Sequence, residues 1–427
     1  MSLADQASLL LIPTGYKSQK VYSIFPTDGD GDFDFSRSSS ATRIAKNGLI
    51  TTVAANVPRL EYPLIDGVVN GCPSLLLEPQ RTNLVTYSED FSDSSWTKSN
   101  VSITVNSTTS PDGLLNGSLM TITGGTADQR ISDNVAYSGT NVFSVFAKAN
   151  DSKWLSLRIG SIANKWFDLE NGFLGGSTIT TAFVDSFIED FGNGWYRCGI
   201  IFTDSSTTNT RIYPAENDLD ITHTSGSVYI YGAQAESSSS YATSYIPTNG
   251  TTVTRLAETC NGAGDSATFN DSEGVLMAEI SGFVDTDDYR MISLNAGNSS
   301  NTLFVGLRND TGNAYFFLIS GGIAQATYIS DVNATNTNVK LAVKYKENDV
   351  SFYVNGFELY TDNTATMISG LNQLEFNYGD PSESFPFYGN TKQIQYYNSA
   401  LTDSELEQLT SWTSFSDMAE GQQYSIK

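Results

Sequence analysis

A chain of 427 residues is too long for one hydrophobic core and divides into roughly two to four domains. Its 39% hydrophobic residues exclude wholesale disorder, and with only 16% charged residues its polar surface is left to Ser, Thr, Asn and Gly, a composition of strands and turns rather than exposed helices. With 47 acidic against 23 basic residues the formal charge is −24, which excludes nucleic acid and anionic membrane as direct partners, because phosphate binding needs clustered Lys and Arg.

The N-terminal sequence Met-Ser-Leu-Ala-Asp has no basic region, and the apolar run Leu9–Ile12 is too short for the core of a signal peptide. The expectation is synthesis in a host cytoplasm without a secretory address, and no stretch is long enough to insert in a membrane. Residues 1–83 carry short strands between polar turns. Phe33 and Phe35 alternate with Asp32 and Asp34, and Leu60, Tyr62 and Leu64 repeat the spacing. This segment reads as a small leader, a cap or docking module.

Residues 84–259 show a clearer period of two. Leu155, Leu157 and Ile159 share one face against Trp154, Ser156 and Arg158; Val228 and Ile230 oppose Tyr229 and Tyr231; Phe143, Val145 and Ala147 oppose Ser144, Phe146 and Lys148. Turn signals at Asn171-Gly172, Gly175-Gly176 and Asn193-Gly194 separate the runs, the pattern of a β-sandwich.

Residues 260–413 repeat it. Val339, Leu341, Val343 and Tyr345 alternate with Lys340, Ala342 and Lys344, and Val350, Phe352 and Val354 follow a polar turn, with Asn355-Gly356 closing the next hairpin. Thr402-Asp-Ser-Glu405 is a capping box flanked by Leu401 and Leu406 as a hydrophobic staple, which predicts a helix to about Trp412. The tail 414–427 is polar.

Three stretches carry a family resemblance. Phe35-Ser-Arg-Ser-Ser-Ser-Ala-Thr-Arg43, Asn47-Gly-Leu-Ile50 and Leu76-Leu-Glu-Pro-Gln-Arg-Thr-Asn-Leu84 resemble the leader of phage appendage proteins. The run from Tyr87-Ser-Glu-Asp-Phe91 through Trp96 and Gly194-Trp-Tyr-Arg197 to Tyr231-Gly-Ala-Gln-Ala-Glu236 and Tyr245-Ile-Pro-Thr248 is similar to a jelly-roll, galactose-binding-like domain. Phe352-Tyr-Val-Asn-Gly356, Ile394-Gln-Tyr-Tyr397 and Ala400-Leu-Thr-Asp-Ser-Glu-Leu406 resemble the concanavalin A-like, laminin-G-like lectin fold, whose last strand precedes a short capped helix. The resemblance implies an all-β chain of tandem antiparallel sandwiches, a virion tail or head fibre with other virion proteins and host-surface glycans as partners, located on the particle surface and assembled as a homo-oligomer, a trimer by analogy to fibres. A purely architectural decoration protein and a polysaccharide depolymerase are the alternatives. No calcium-ligand set of the lectin family transfers residue by residue.

Trp154, Arg158, Tyr229 and Tyr231 are the candidate carbohydrate-binding residues, because aromatic faces stack on apolar sugar faces and a guanidinium donates to hydroxyls. Each also has a plain structural reading: the rings as contacts with a neighbouring chain, Arg158 and Arg197 as partners of the many carboxylates. Trp195 and Cys198 read as core, and His223 as solvent-facing. Asp28, Asp30 and Asp32 sit at alternate positions, as in hard-cation loops, which makes calcium the candidate cofactor; Ser39 stands where an EF-hand needs a bidentate Glu, so a solvated turn competes with it. His223 is the only histidine, and Cys72, Cys198 and Cys260 are widely spaced, which disfavours zinc, a His-based triad and a disulfide framework. Acid pairs such as Glu189-Asp190 fit no glucanase motif, so the expectation is a non-enzymatic protein.

Overall fold

The computed structural model describes residues 3–125, 128–283, 289–412 and 418. The tail 414–427 lies, but for Met418, outside the described residues. The architecture is all-β and antiparallel, in two sandwiches with four smaller sheets among the described residues.

The first sandwich stacks two six-stranded sheets. One runs in the order Thr97–Ser99, Arg130–Ala136, Thr207–Ala215, Trp154–Ile159, Ala163–Asp168, Phe173–Leu174. The other runs Val101–Thr109, Leu115–Ile122, Ser227–Ser237, Thr140–Ala149, Trp195–Thr203, Phe183–Asp190. The residues expected on the inner faces, Leu155, Leu157, Ile159, Val228, Ile230, Phe143, Val145 and Ala147, are buried together in its core, and Cys198, Ile200 and Phe202 join them. Asn193 and Gly194 take positive φ of 53° and 76°, the left-handed pair that a tight two-residue turn requires.

The second sandwich faces an eight-stranded sheet against a five-stranded one. Val339, Leu341, Val343, Tyr345, Val350, Phe352 and Val354 are buried between them as their alternation requires. The five-stranded sheet runs Ile323–Asn333, Asn313–Ser320, Thr302–Leu307, Arg290–Asn295, Gln373–Glu375. In the eight-stranded sheet the strand Gly389–Tyr397 has one edge completed by the leader: Leu9–Leu11 pairs with Ile394, Gln395 and Tyr396, and Leu75–Leu77 pairs with Gly389, Asn390 and Thr391. Arg59–Glu61 then pairs with Ser74–Leu77, and Phe33–Ser36 pairs with Thr259–Asn261. A cut of the chain at 83 and 260 thus follows sequence order but passes through this shared sheet. Physically the first sandwich is inserted, leaving through Arg81–Asn83 and returning through Val253–Arg255, which pair with each other.

At the foot of that insertion sits a buried ionic knot. Arg59 grips both carboxylate oxygens of Glu258, Nε at 2.9 Å from Oε1 and Nη2 on Oε2, and its Nη1 reaches Glu78 at 2.7 Å. Arg37 holds Glu258 at 2.6 Å and Arg255 holds Glu78 at 2.8 Å. All five side chains are at most 2% exposed. Burial alone would raise the Glu78 carboxyl, but Arg255 and Arg59 overcome it and hold it at about 2.

The helix Asp403–Thr410 has the expected capping box, with Glu405 N–H donating to Thr402 Oγ1 and Thr402 N–H donating to Glu405. It stops at Thr410, short of Trp412, and Leu401 and Leu406 lie on Ala342, Tyr353 and Tyr397 of the eight-stranded sheet.

Candidate functional site

The outer face of the five-stranded sheet is apolar where solvent would ask for polar residues. In Asn313–Ser320 the inward positions Ala314, Phe316 and Leu318 belong to the core, so Tyr315, Phe317 and Ile319 point out. Register sets the neighbours: Met291, Gly306, Tyr315 and Ile329 form one row across four strands, and Ser293, Phe304, Phe317 and Thr327 the next. Gly306 puts no side chain between Met291 and Tyr315, a gap in the row, and a Cβ there would fall 1.9 Å from the Arg290 carbonyl oxygen.

Around that gap the rings form one continuous surface. Phe304 and Phe317 stack with centroids 5.6 Å apart, Tyr378 meets Phe304 edge-on at 5.5 Å, and Tyr289 meets Phe385 edge-on at 5.6 Å. The groove encloses about 280 Å³. Tyr315 forms its floor at 5% exposure, and among the described residues its hydroxyl has no hydrogen-bond partner. Burial, with Tyr289 and Tyr378 adding to it, pushes that phenol upward, so it is a donor at any ordinary pH. Arg308 lines the rim, and Asp310 already occupies it through Nε at 2.9 Å and Nη2 at 2.8 Å. Apolar ring faces with a few fixed polar groups are what a sugar-sized ligand needs. The signal in the sequence is the unbroken run Ala314–Ile319, apolar on both strand faces, which the alternation rule leaves unexplained.

The structure separates the residues expected to bind carbohydrate. Trp154 and Arg158 lie on the outer face of one six-stranded sheet, Tyr229 and Tyr231 on the outer face of the other. Tyr231 is not a surface platform. It is 2% exposed in a cluster with Phe146, Trp195 and Tyr245, and Ile44 and Ile50 of the leader cover them. Its hydroxyl donates to Asp112 at 3.0 Å and Glu89 at 3.2 Å. Tyr229 is half-buried at the edge of the same cluster. Trp154 is half-buried, and the loop at Gly175 passes over its ring, where a Cβ would lie 2.6 Å from Cζ3. Among the described residues neither Arg158 nor Arg197 forms an ion pair with a carboxylate: Arg158 donates to the Gly160 carbonyl at 2.8 Å, and Arg197 to the Thr243 carbonyl at 2.8 Å. Cys198 lies in the sandwich core, as expected, and Trp195 is buried as expected but in the covered outer-face cluster. His223 is half-buried rather than solvent-facing, and burial lowers its pKa.

Asp28, Asp30 and Asp32 do not converge. Asp28 accepts from the Asp30 N–H at 3.1 Å and Asp32 from the Ser23 N–H at 2.9 Å, the bonds of a turn. Among the described residues no three His, Cys, Asp or Glu side chains come together as a metal site.

A second cavity, of about 350 Å³, lies where the leader meets both sandwiches, with Glu61, Glu189, Asn390 and Lys392 in its walls. Burial raises the Glu61 carboxyl to about 8 against the Ile44 N–H and Arg59, and it raises Glu189 against Arg197.

No family model matches the chain, and neither does any curated protein. Among solved structures, it is similar to the CBM40 of the Ruminococcus gnavus IT-sialidase bound to α2,3-sialyllactose, at 18% identity over 35% of this chain and 87% of that one, with a TM-score of 0.30. The leech intramolecular trans-sialidase matches at 20% identity over 36% of this chain and 25% of that one, TM-score 0.31. Domain 4 of AbnA, a GH43 extracellular arabinanase from Geobacillus stearothermophilus, in complex with arabinotriose, matches at 16% over 40% and 82%, TM-score 0.30. Among the described residues no helix is long and apolar enough to cross a membrane.

Proposed function

We propose that this protein is a non-enzymatic appendage of a phage particle that binds host-surface carbohydrate through the aromatic groove of its second sandwich. The observation that carries the reading is the groove lined by Phe304, Tyr315 and Phe317 and walled by Tyr289, Tyr378 and Phe385, in which Phe317 is the half-buried ring. The outer-face aromatic clusters around Tyr231 and around Tyr353 are covered by the chain itself. The leader's strands, bonded into the second sandwich and knotted to the first, suit a rigid mount that presents the groove while the remaining surface meets other virion proteins and further copies of the chain.

The test is a glycan array with the full chain, followed by titration of a captured sugar. Phe317→Ala should weaken binding at least about tenfold while leaving the fold intact, as for a central aromatic anchor. Retention of no glycan, or an unchanged affinity in the variant, would overturn the reading in favour of an architectural protein.

A glycan-cleaving enzyme has one observation behind it, the cavity that holds Glu61 and Glu189. A two-carboxyl mechanism needs the pair pushed apart, one acid protonated and one ionised. Here burial raises both. Release of reducing ends from a polysaccharide, abolished by Glu61→Gln or Glu189→Gln, would establish the enzyme instead.

A further inference from the structure

The outer face of the sheet containing Trp154–Ile159 holds a feature that stability does not explain. Leu157, Ile212 and Ile131 point into the core, which sends Arg158, Arg211 and Arg130 outward from three adjacent strands. Arg158 and Arg211 are direct cross-strand partners. Like charges placed opposite one another weaken a sheet. A chain with 47 acidic residues against 23 basic ones has ample carboxylate to relieve them. It does not do so. Among the described residues, Arg158 Nε donates to the Gly160 carbonyl at 2.8 Å and Arg211 Nε to Asn209 Oδ1 at 2.6 Å, and neither forms an ion pair, so both Nη groups remain to be used. Arg130 lies within electrostatic reach of both and pairs with Asp128. The groove of the second sandwich is the opposite case, its rim arginine ion-paired to Asp310 through Nε and Nη2.

We propose that Arg158 and Arg211 form a second binding site, for an anionic saccharide whose carboxylate or sulfate sits between the two guanidinium groups. Bidentate guanidinium contacts to an oxyanion are strong and directional. The overall charge of −24 does not forbid it: distant acids are screened beyond about 8 Å at physiological salt, whereas the paired guanidiniums act at contact. Trp154 stands on the same face four residues along the strand, about 13 Å away by strand rise, but the loop at Gly175 passes over its ring, so the site rests on the two arginines. The site stands whether or not the groove takes sugar.

Titration of the full chain with lactose, 3′-sialyllactose and 3′-sulfolactose separates neutral, carboxylate and sulfate ligands. At least one anionic sugar should bind about tenfold or more tighter than lactose, and Arg211→Ala should remove that preference, as should Arg158→Ala. Added salt should weaken the anionic sugars alone. Arg211→Ala relieves a like-charge contact, so its melting temperature should match or exceed that of the parent, which separates lost binding from lost folding. The groove variant Phe317→Ala should keep the anionic preference. Equal binding of all three sugars by the parent protein, or an anionic preference that survives both arginine substitutions, overturns the proposal.

Discussion

Two aromatic surfaces in this molecule start from the same local pattern and end differently. Phe146, Trp195 and Tyr231 point away from the core of the first sandwich, as Phe304, Tyr315 and Phe317 point away from the core of the second. The first set is roofed by Ile44 and Ile50 of the leader hairpin. The second is walled rather than roofed: Tyr289, Tyr378 and Phe385 leave Phe304 and Tyr315 3% and 5% exposed and Phe317 half-buried, with a groove between them. The difference lies in how far the chain itself does the covering. For the first face the cover is built in.

The harshest way to break that contrast is to loosen the roof. Arg59→Ala should cost about 3 kcal/mol, because it takes from each of the buried carboxylates Glu78 and Glu258 one of its two guanidinium partners, leaving only Arg255 and Arg37 at the base of the leader. Calorimetry checks the loss. Replacing the covered ring, Trp195→Ala, should cost a comparable sum of about 3–5 kcal/mol by removing a large buried side chain. If the groove is a true binding surface, Phe317→Ala should behave in reverse, with a stability cost under about 2 kcal/mol and a binding loss of tenfold or more. Equal stability losses for Trp195 and Phe317 would erase the distinction.

The sequence shows the inner faces clearly, because Leu155, Leu157 and Ile159, or Val339, Leu341 and Val343, have only one side on which to be dry. It does not show which outer faces are covered. Tyr229 and Tyr231 alternate as an exposed pair would, and only the tertiary arrival of residues 44–50 buries Tyr231. The knot is hidden for the same reason: Arg37, Arg59 and Glu78 lie within the leader, while their partners Glu258 and Arg255 come from beyond the inserted sandwich. The groove is half legible. Its double-faced run Ala314–Ile319 is visible along the chain, whereas Tyr289, Tyr378 and Phe385 reach it from separate segments.

A gentler probe acts on the roof through pH. Glu61 accepts the Ile44 N–H at 2.8 Å, so the covering hairpin is bonded to a carboxyl that burial raises to about 8. Arg59, Arg43 and Glu78 act on it directly, and Glu189, Asp190 and Lys392 line the same cavity. A raised folded-state value means that this group's contribution is complete below the unfolded value near 4.5 and drains away as pH climbs through about 8. Glu78, held at about 2, works in the other direction: its contribution is present above 4.5 and is lost only as pH falls through about 2. Melting temperature should therefore fall from pH 5 to pH 9 in the parent protein, and Glu61→Gln should flatten that fall. A parallel slope in the variant would remove Glu61 from the account.

The smallest effect belongs to a third outer face, on the eight-stranded sheet, which sharpens the contrast from the covered side. There Leu401 and Leu406 of the C-terminal helix roof Ala342, Tyr353 and Tyr397. The roof is a single eight-residue helix, too short to persist by itself, so it rests on its cap and on these contacts. Thr402→Ala removes the side chain that accepts the Glu405 N–H and should cost about 1 kcal/mol. Because this helix touches neither aromatic cluster of the first comparison, glycan affinity should be unchanged. The informative measurement is hydrogen exchange: the amides of residues 403–410 should exchange faster while those of residues 313–320 keep their protection. Faster exchange in both segments would mean that the three outer faces share one cooperative unit, and that the groove depends on the helical roof as much as on its own rings.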